Sequence, residues 1–270
     1  MTSEEKLKKL KEYLKSRGKA AVAFSGGVDS AFLLRVAREE LSADNVLAIT
    51  VSSQFVPETE TVDAAAFCRE NGVSQAVIKL DVLGSEEVAA NPDNRCYLCK
   101  KLMFEKVVET ARDHGIALVF DGTNSDDAKD FRPGLAALRE LKIESPLLML
   151  GISKPEIREL SRSMGLRVFN KPSFSCLATR LPGGERITAE KLSMIDRAEQ
   201  ILRKEGFSQF RVRAHGEIAR IELAESEIES AANHEVRKRI CIALKGIGYS
   251  YVTLDLEGYR SGSMNKAKKK

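Results

Sequence analysis

The chain has 270 residues, 43% of them hydrophobic and 30% charged. That is enough to bury a sizeable core, is not disordered by composition, and by length suggests two unequal domains. A net charge of +4 is too small to argue for nucleic acid by itself, though it permits anionic substrates. No apolar run approaches the ~20 residues a bilayer demands, and the first six residues lack a signal peptide's apolar stretch. The five cysteines, Cys68, Cys96, Cys99, Cys176 and Cys241, do not suggest a secreted disulfide scaffold. The expectation is a reducing, cytoplasmic protein with no membrane and no nucleic-acid partner.

Thr2 and Glu5 have capping-box spacing, and Leu7, Leu10 and Leu14 recur behind them on one helical face. Four short apolar segments with β-branched content follow, at 20–24, 46–51, 76–80 and 117–120. Helical patterns lie between them: Phe32, Leu33, Val36 and Ala37; then Val62, Ala65, Ala66 and Arg69; then Leu102, Phe104, Val107 and Val108. This alternation predicts right-handed βαβ units and a parallel sheet covered on both faces. After Pro146 a fifth apolar piece, 147–150, leads to Ser153 and Glu156, again at capping-box spacing, with Ile157 and Leu160 continuing a helix. Between 170 and 184 the rhythm breaks at Pro172, Pro182, Gly183 and Gly184. The domain boundary is placed there, giving a first domain over 1–175 and a second over 176–260. Residues 261–270, with Lys266, Lys268, Lys269 and Lys270, read as a basic, disordered tail. In the second domain, 211–213, 219–223 and 251–256 look like strands and 229–244 like a helix, a smaller α+β unit.

Ala21-Val22-Ala23-Phe24 runs into Ser25-Gly26-Gly27-Val28-Asp29-Ser30 and then into a helix. Two glycines let the backbone turn tightly against a ligand, and the unpaired N–H groups of the helix start favour an anion. Ser25 and Ser30 add hydroxyls. Asp29 suits an anion site only if it bonds backbone amides or holds a metal ion that offsets phosphate charge. The Walker pattern and the dinucleotide fingerprint are both absent.

These residues resemble the pyrophosphate-binding loop of the N-type PP-loop ATPases, a family that includes GMP synthetase, asparagine synthetase, NAD synthetase and tRNA-thiolating enzymes. The resemblance implies an α/β fold: a parallel-sheet domain of the adenine nucleotide alpha hydrolase type, followed by the smaller C-terminal domain. It also implies ATP with Mg2+, and adenylation of a substrate oxygen at the α-phosphate. By the same resemblance, Val51 and Ser52 match the adenosine side of the site, and Gly122, Thr123 and Asn124 a second nucleotide-side loop. All sit where an open parallel sheet binds ligands. Asp121 and Asp126 are candidate metal-side carboxylates.

Cys96-Tyr97-Leu98-Cys99 is a two-residue-spaced pair just before a helical pattern. It can be redox-active, a metal half-site or incidental. It does not follow the first strand of a small βαβ domain, and no second pair exists for a zinc site. With Cys176 it makes three thiolates, enough for three irons of a four-iron cluster whose last iron takes an outside ligand. Cys176 alone as sulfur donor is the alternative, and three unrelated buried residues a third reading. Cys68 and Cys241 are assigned to the core.

The run from Pro172 to Arg180 (Pro-Ser-Phe-Ser-Cys-Leu-Ala-Thr-Arg), then Arg211-Val212-Arg213, His215-Gly216 and Ala219-Arg220-Ile221-Glu222, narrow the likeness. Together with the first loop they resemble the LarE family of ATP-dependent sulfurtransferases over about 10–256. Its substrate is pyridinium-3,5-biscarboxylic acid mononucleotide, in biosynthesis of the nickel-pincer nucleotide cofactor of lactate racemase. The resemblance implies that a substrate carboxylate is adenylated and sulfur then displaces AMP, giving a thiocarboxylate. One branch sacrifices a single cysteine at the position of Cys176. The three-cysteine branch, which this chain resembles, carries a [4Fe-4S] cluster on Cys96, Cys99 and Cys176 and needs a sulfide source. The resemblance also suggests a homo-oligomer.

Arg211 and Arg213 alternate on a strand, so their forks share a face and suit a phosphate or carboxylate; a solvated strand face is the bland alternative. Arg180 is assigned to the same anionic substrate or the acyl-adenylate. Glu199 matches an acidic position near substrate, although a lone helical Glu usually faces solvent. His215 is a weaker candidate. Sulfur transfer further requires the three thiols to converge near the mouth of the phosphate loop. Two other functions compete. A tRNA-thiolating enzyme is disfavoured by the modest charge, the lack of a basic extension and an aromatic content of 6%. A non-catalytic ATP-binding sensor is the third.

Overall fold

The computed structural model describes residues 1–127, 134–171, 175–260 and 264. Pro172, Ser173 and Phe174 of the cysteine motif, and the tail apart from Met264, lie outside the described residues. The chain divides into two compact units, Met1–Val82 with Asn94–Phe174, and Leu83–Asp93 with Ser175–Lys270. No described helix is long and apolar enough to cross a membrane.

The first unit is a parallel sheet of β1 (Ala20–Ala23), β2 (Val46–Ser53), β3 (Ser74–Leu80) and β4 (Val119–Phe120), ordered β3-β2-β1-β4. All its strand pairs are parallel, with Ala20 opposite Val46 and Ala21 opposite Val119. Alternate side chains point to opposite faces, and both faces are covered. Ala20, Val22, Phe24, Val46 and Ala48 join one cluster, with Leu10 and Leu14 of α1 (Ser3–Arg17), the apolar face of α2 (Val28–Glu40), Ala64, Phe67 and Cys68 of α3 (Glu58–Glu70) and Ile157 of α8 (Lys154–Ser163). Ala21, Leu47 and Ile49 join the other, with Phe104, Val107 and Ala111 of α5 (Arg95–Asp113) and Leu138 of α6 (Gly134–Glu140). Both expected capping boxes form, Thr2 with Glu5 and Ser153 with Glu156. The fifth apolar piece is a single helical turn, α7 (Pro146–Met149). Pro146 has no N–H for a ladder and its ring presets a helical φ, so only Glu144 bridges to Phe120.

The second unit has a three-stranded mixed sheet of β5 (Phe210–His215), β6 (Ile218–Leu223) and β7 (Tyr251–Leu254), antiparallel between β5 and β6 and parallel between β6 and β7. α9 (Ala189–Lys204) buries Leu192, Ile195, Ala198 and Leu202. The helix expected over 229–244 is two, α10 (Ile228–Ala232) and α11 (His234–Ile247). Asn233 between them turns out of the helix, and its side chain caps the second by accepting the Glu235 N–H at 3.0 Å. The short α4 (Glu86–Ala89) belongs here although it precedes α5 in the chain. Its neighbourhood is stitched to 182–187: Gly184 N donates to Asn91 O and Ile187 N to Ala89 O, both at 2.8 Å, and the Asn91 amide donates to Pro182 O at 2.8 Å.

Candidate active site

The order β3-β2-β1-β4 reverses direction at β1, and the crevice beyond the strand ends there is where such sheets bind ligands. Leaving β1, the chain turns at Gly26 with φ +75°, a conformation glycine adopts without strain. Gly27 is the N-cap of α2 and offers no side-chain acceptor. The N–H groups of Val28, Asp29 and Ser30 therefore have no acceptor within the helix and point with its dipole at the crevice. The serines hold the corner's shape. Ser25 Oγ and Ser30 Oγ lie 3.1 Å apart, Ser25 N donates to Ser30 Oγ at 3.3 Å, and Ser30 Oγ donates to Gly27 O at 3.1 Å.

The loop leaving β4 closes directly on this corner. A Cβ at Gly122 would stand 2.8 Å from Ser30 N and 3.0 Å from its Cα, so only glycine lets the two loops touch. Thr123, 6% exposed, gives its hydroxyl to Asp121, as does Ser145. Asp121 is thus committed to shaping the loop. Asn124 Oδ1 accepts the Asp126 N–H at 2.9 Å, and Asp126 accepts the Lys154 N–H at 2.8 Å.

Lys154 in turn donates its ammonium to Asp29. The other carboxylate oxygen of Asp29 is buried with no partner among the described residues. Burial raises the Asp29 carboxyl above the usual carboxylate range against the pull of Lys154. An unsatisfied hard oxygen beside a row of anion-seeking amides fits a Mg2+ ion accompanying a polyphosphate. Lys154 was missed in the sequence because it read only as part of a helix start. Its signal was a cation at the first position of α8, where the helix dipole disfavours one.

At the carboxyl ends of β1 and β2, a pocket of about 150 Å³ is lined by Phe24, Val51, Thr61, Met103, Phe104 and Val107 among others. Its apolar walls suit a flat base, and the Thr61 hydroxyl, buried and unpartnered among the described residues, supplies a polar group. Val51 lines this pocket, whereas Ser52 is half-buried and off the lining. A larger open hollow of about 540 Å³ runs from Gly26 past Arg35 and Lys171. There Arg35 is bonded to Asn71 and Lys171 to Glu60 and Asp63, and it carries no candidate chemistry.

Cys96 and Cys99 are the second and fifth residues of α5, inside the helix rather than ahead of it. Cys96 is exposed and accepts from Arg95 Nη2 at 3.3 Å. Cys99 is buried and reaches Met103 of the base pocket, Sγ to Sδ 3.7 Å. The pair therefore shares a unit with the nucleotide pocket. Cys176, half-buried, is the N-cap of a 3-10 turn, Leu177–Arg180, in the other unit. Among the described residues no group of three or more His, Cys, Asp and Glu is placed to hold a metal ion. Cys68 is core, its thiol pushed up to about 12 by burial, and Cys241 is only half-buried.

In the second unit Arg211 and Arg213 share a face of β5, and that face is buried, at 7% and 5% exposure. Arg213 donates Nε and Nη2 to Glu222 Oε2 at 3.0 and 2.8 Å, and Nη1 to Thr179 O at 3.1 Å. Glu222, fully buried, also accepts from Arg220 at 3.1 Å. The Tyr259 ring lies 5.1 Å from the Arg211 guanidinium, whose affinity for its proton is lowered first by burial and then by Arg180. Glu199 does not face solvent. It is 6% exposed and takes Arg180 on both oxygens, at 2.8 and 2.9 Å. His215 has a buried, unpartnered Nε2 among the described residues, and burial lowers its pKa. Glu222 was read only as part of the 219–222 run and given no role, although Arg211, Arg213, Arg220 and Glu222 fall at every second position of two adjacent strands.

A parallel sheet with an anion-binding glycine–serine corner at its switch point defines a nucleotide-binding α/β enzyme domain of the PP-loop class, and residues 2–94 match the family model described as NAD synthase. The chain is 35% identical, over 93% of its length and 91% of the relative's, to pyridinium-3,5-bisthiocarboxylic acid mononucleotide synthase of Lactiplantibacillus plantarum. It is 39% identical over 97% of its length to an uncharacterized protein of Synechocystis sp., covering 98% of that chain. An uncharacterized protein of Methanocaldococcus jannaschii is 32% identical over 95% of this chain and 98% of its own. The chain belongs to the LarE family of PP-loop enzymes, and with the PP-loop come ATP and Mg2+.

Proposed function

We propose that this enzyme adenylates a carboxylate of pyridinium-3,5-biscarboxylic acid mononucleotide with ATP and inserts sulfur to give the thiocarboxylate, a step toward the nickel-pincer nucleotide cofactor. The observation that carries the reading is the corner from Ser25 to Ser30, where helix-start amides and one oxygen of Asp29 are unspent among the described residues. A carboxylate oxygen does not leave to sulfide at neutral pH; AMP does. In the first step the substrate oxygen attacks the α-phosphorus and the bond to the β-phosphate breaks, releasing pyrophosphate. The Val28, Asp29 and Ser30 amides face the charge that builds on it, beside the Lys154 ammonium. Asp29 would hold Mg2+, which would supply further neutralisation of the phosphates. In the second step sulfide adds to the acyl carbon and the carbon–oxygen bond to AMP breaks. Arg211 and Arg213 are assigned to the anionic groups of the substrate.

Incubation with labelled ATP and the biscarboxylated mononucleotide tests this directly. Substrate-dependent AMP and a thiocarboxylate product are expected; thiolated RNA would instead mark a tRNA-modifying enzyme, and neither product a nucleotide sensor.

For the sulfur, the three-cysteine set favours a [4Fe-4S] cluster on Cys96, Cys99 and Cys176, fed by an external sulfide source. The support is the paired thiols near the start of α5 and the single thiol at Cys176. Anaerobic absorption with iron and sulfide analysis, on wild type and Cys96→Ala, decides between the branches. Iron in the wild type that Cys96→Ala loses supports the cluster. Iron-free protein that loses hydrogen sulfide from Cys176 on reaction assigns the chain to single use. A cytoplasmic setting, which keeps the free thiols reduced, and a homo-oligomer complete the proposal.

A further inference from the structure

We propose that Arg180 is a positioning residue, tying the turn that carries Cys176 to the strand that carries Arg211 and Arg213, and so setting where sulfur stands relative to the substrate's anionic groups. The roles of Cys176 and the two β5 arginines rest on the functional reading above; the tie itself stands on the hydrogen bonds.

Arg180 is 1% exposed. Burying a guanidinium is costly unless its N–H groups are matched by acceptors, and here they are. Nε and Nη2 grip the two oxygens of Glu199 at 2.8 and 2.9 Å. Nη1 reaches Ser175 O at 2.6 Å, Ser175 Oγ at 2.7 Å, Cys176 O at 3.0 Å and Thr179 Oγ1 at 3.1 Å. Those acceptors span the turn around Cys176. The Cys176 carbonyl also accepts the Thr179 N–H at 2.9 Å and its hydroxyl at 2.7 Å. Three donors on one carbonyl fix the peptide plane and hence the direction in which the Cα–Cβ bond that carries the thiol leaves the backbone.

The other end of the tie is equally specific. Glu199 Oε1 accepts the Val212 N–H at 3.1 Å, and Val212 lies between Arg211 and Arg213 on β5, an edge strand. From β5, Arg213 Nη1 reaches back to Thr179 O at 3.1 Å. The path Cys176–Arg180–Glu199–Val212 thus closes a ring with Arg213 and Thr179. Arg180 presents its fork to this ring, so the expectation that it contacts the substrate gives way to one of orientation. A fork is required: Glu199 takes Nε and Nη2 on one edge of the guanidinium while the turn takes Nη1 on another, and an ammonium cannot serve both together.

Arg180→Lys and Arg180→Ala, compared with wild type, test this by two measurements: thiocarboxylate formed from the biscarboxylated mononucleotide with ATP, and the rate at which iodoacetamide alkylates Cys176, resolved by peptide mass spectrometry. Because lysine keeps the charge and loses the fork, both variants are expected to lose product formation together, by ~10-fold or more, while Cys176 alkylates several-fold faster. Ser175→Ala removes one acceptor and leaves the Glu199 pair intact; it is expected to be intermediate in both measurements, which guards against a merely misfolded arginine variant. A lysine variant keeping half or more of the wild-type rate would mean charge rather than position, and overturn the proposal. So would an unchanged Cys176 alkylation rate in all three variants. Alkylation needs neither ATP nor substrate, so wild type that makes no thiocarboxylate would overturn the functional reading and leave the tie to be judged on alkylation alone.

Discussion

Asp29 serves ligand binding at a cost to the ligand-free fold. Its carboxyl holds its proton more tightly than usual, because burial disfavours the ionised form more than Lys154 favours it. Such a group adds stability below the ordinary aspartate range and loses it as pH rises through the raised value. Asp29→Asn should therefore leave the ligand-free protein at least as stable as wild type at neutral pH, with any advantage fading as pH falls from the raised value to the ordinary aspartate range and gone below it. The same change should weaken Mg2+-ATP binding by roughly tenfold or more, since a charged contact is lost. Urea melts across pH and calorimetric titration check the two halves separately. Gly122→Ala is expected to act through sterics alone. Its methyl would meet backbone atoms of Ser30 at 2.8 to 3.0 Å, which have no flexible side chain to yield. Overpacking of that kind costs about 1–3 kcal/mol, and nucleotide affinity should fall with it, read by urea melts and by titration.

Among the elements, the β5–β6 pair is the most exacting. Phe210, Val212 and Ala214 bury one face of β5, and Arg211 and Arg213 the other. Glu222 neutralises two guanidiniums from a fully buried position, with Arg213 on one oxygen and Arg220 on the other. Glu222→Gln keeps the shape and removes the charge, taking a counter-ion from the buried Arg213, while the half-buried Arg220 keeps Asp255. The expected loss is about 3–5 kcal/mol, measured as a lowered urea midpoint with the slope unchanged. Much of the element layout was legible in the chain. The short apolar segments and the helical repeats between them fall within a few residues of β1 to β4 and their helices, because a short apolar run and a 3.6-residue spacing are local properties. The break at Asn233 and the helical turn at Pro146 were less legible. Both depend on one residue's capping or ring geometry overriding an apolar run.

At the scale of the whole molecule, a ligand that binds only the folded chain must stabilise it. ATP with Mg2+ at one hundred times its dissociation constant should add about 2.7 kcal/mol, seen as a raised thermal midpoint. Excess chelator should remove most of that shift if Asp29 acts through the metal. A midpoint insensitive to the chelator would leave Asp29 without its assigned role.

The sequence by itself determined the sheet-and-helix alternation, the glycine–serine corner, the paired and single cysteines, and through them the family. Each is a run of neighbouring residues whose spacing carries its own physical meaning. Tertiary structure alone decided which distant groups complete them. Lys154 reaches Asp29 across 125 positions, Leu83–Asp93 joins the C-terminal unit, and Glu199 is buried against Arg180 instead of facing water. Strand order and the burial of charge set those pairings, and neither leaves a periodic trace in the chain.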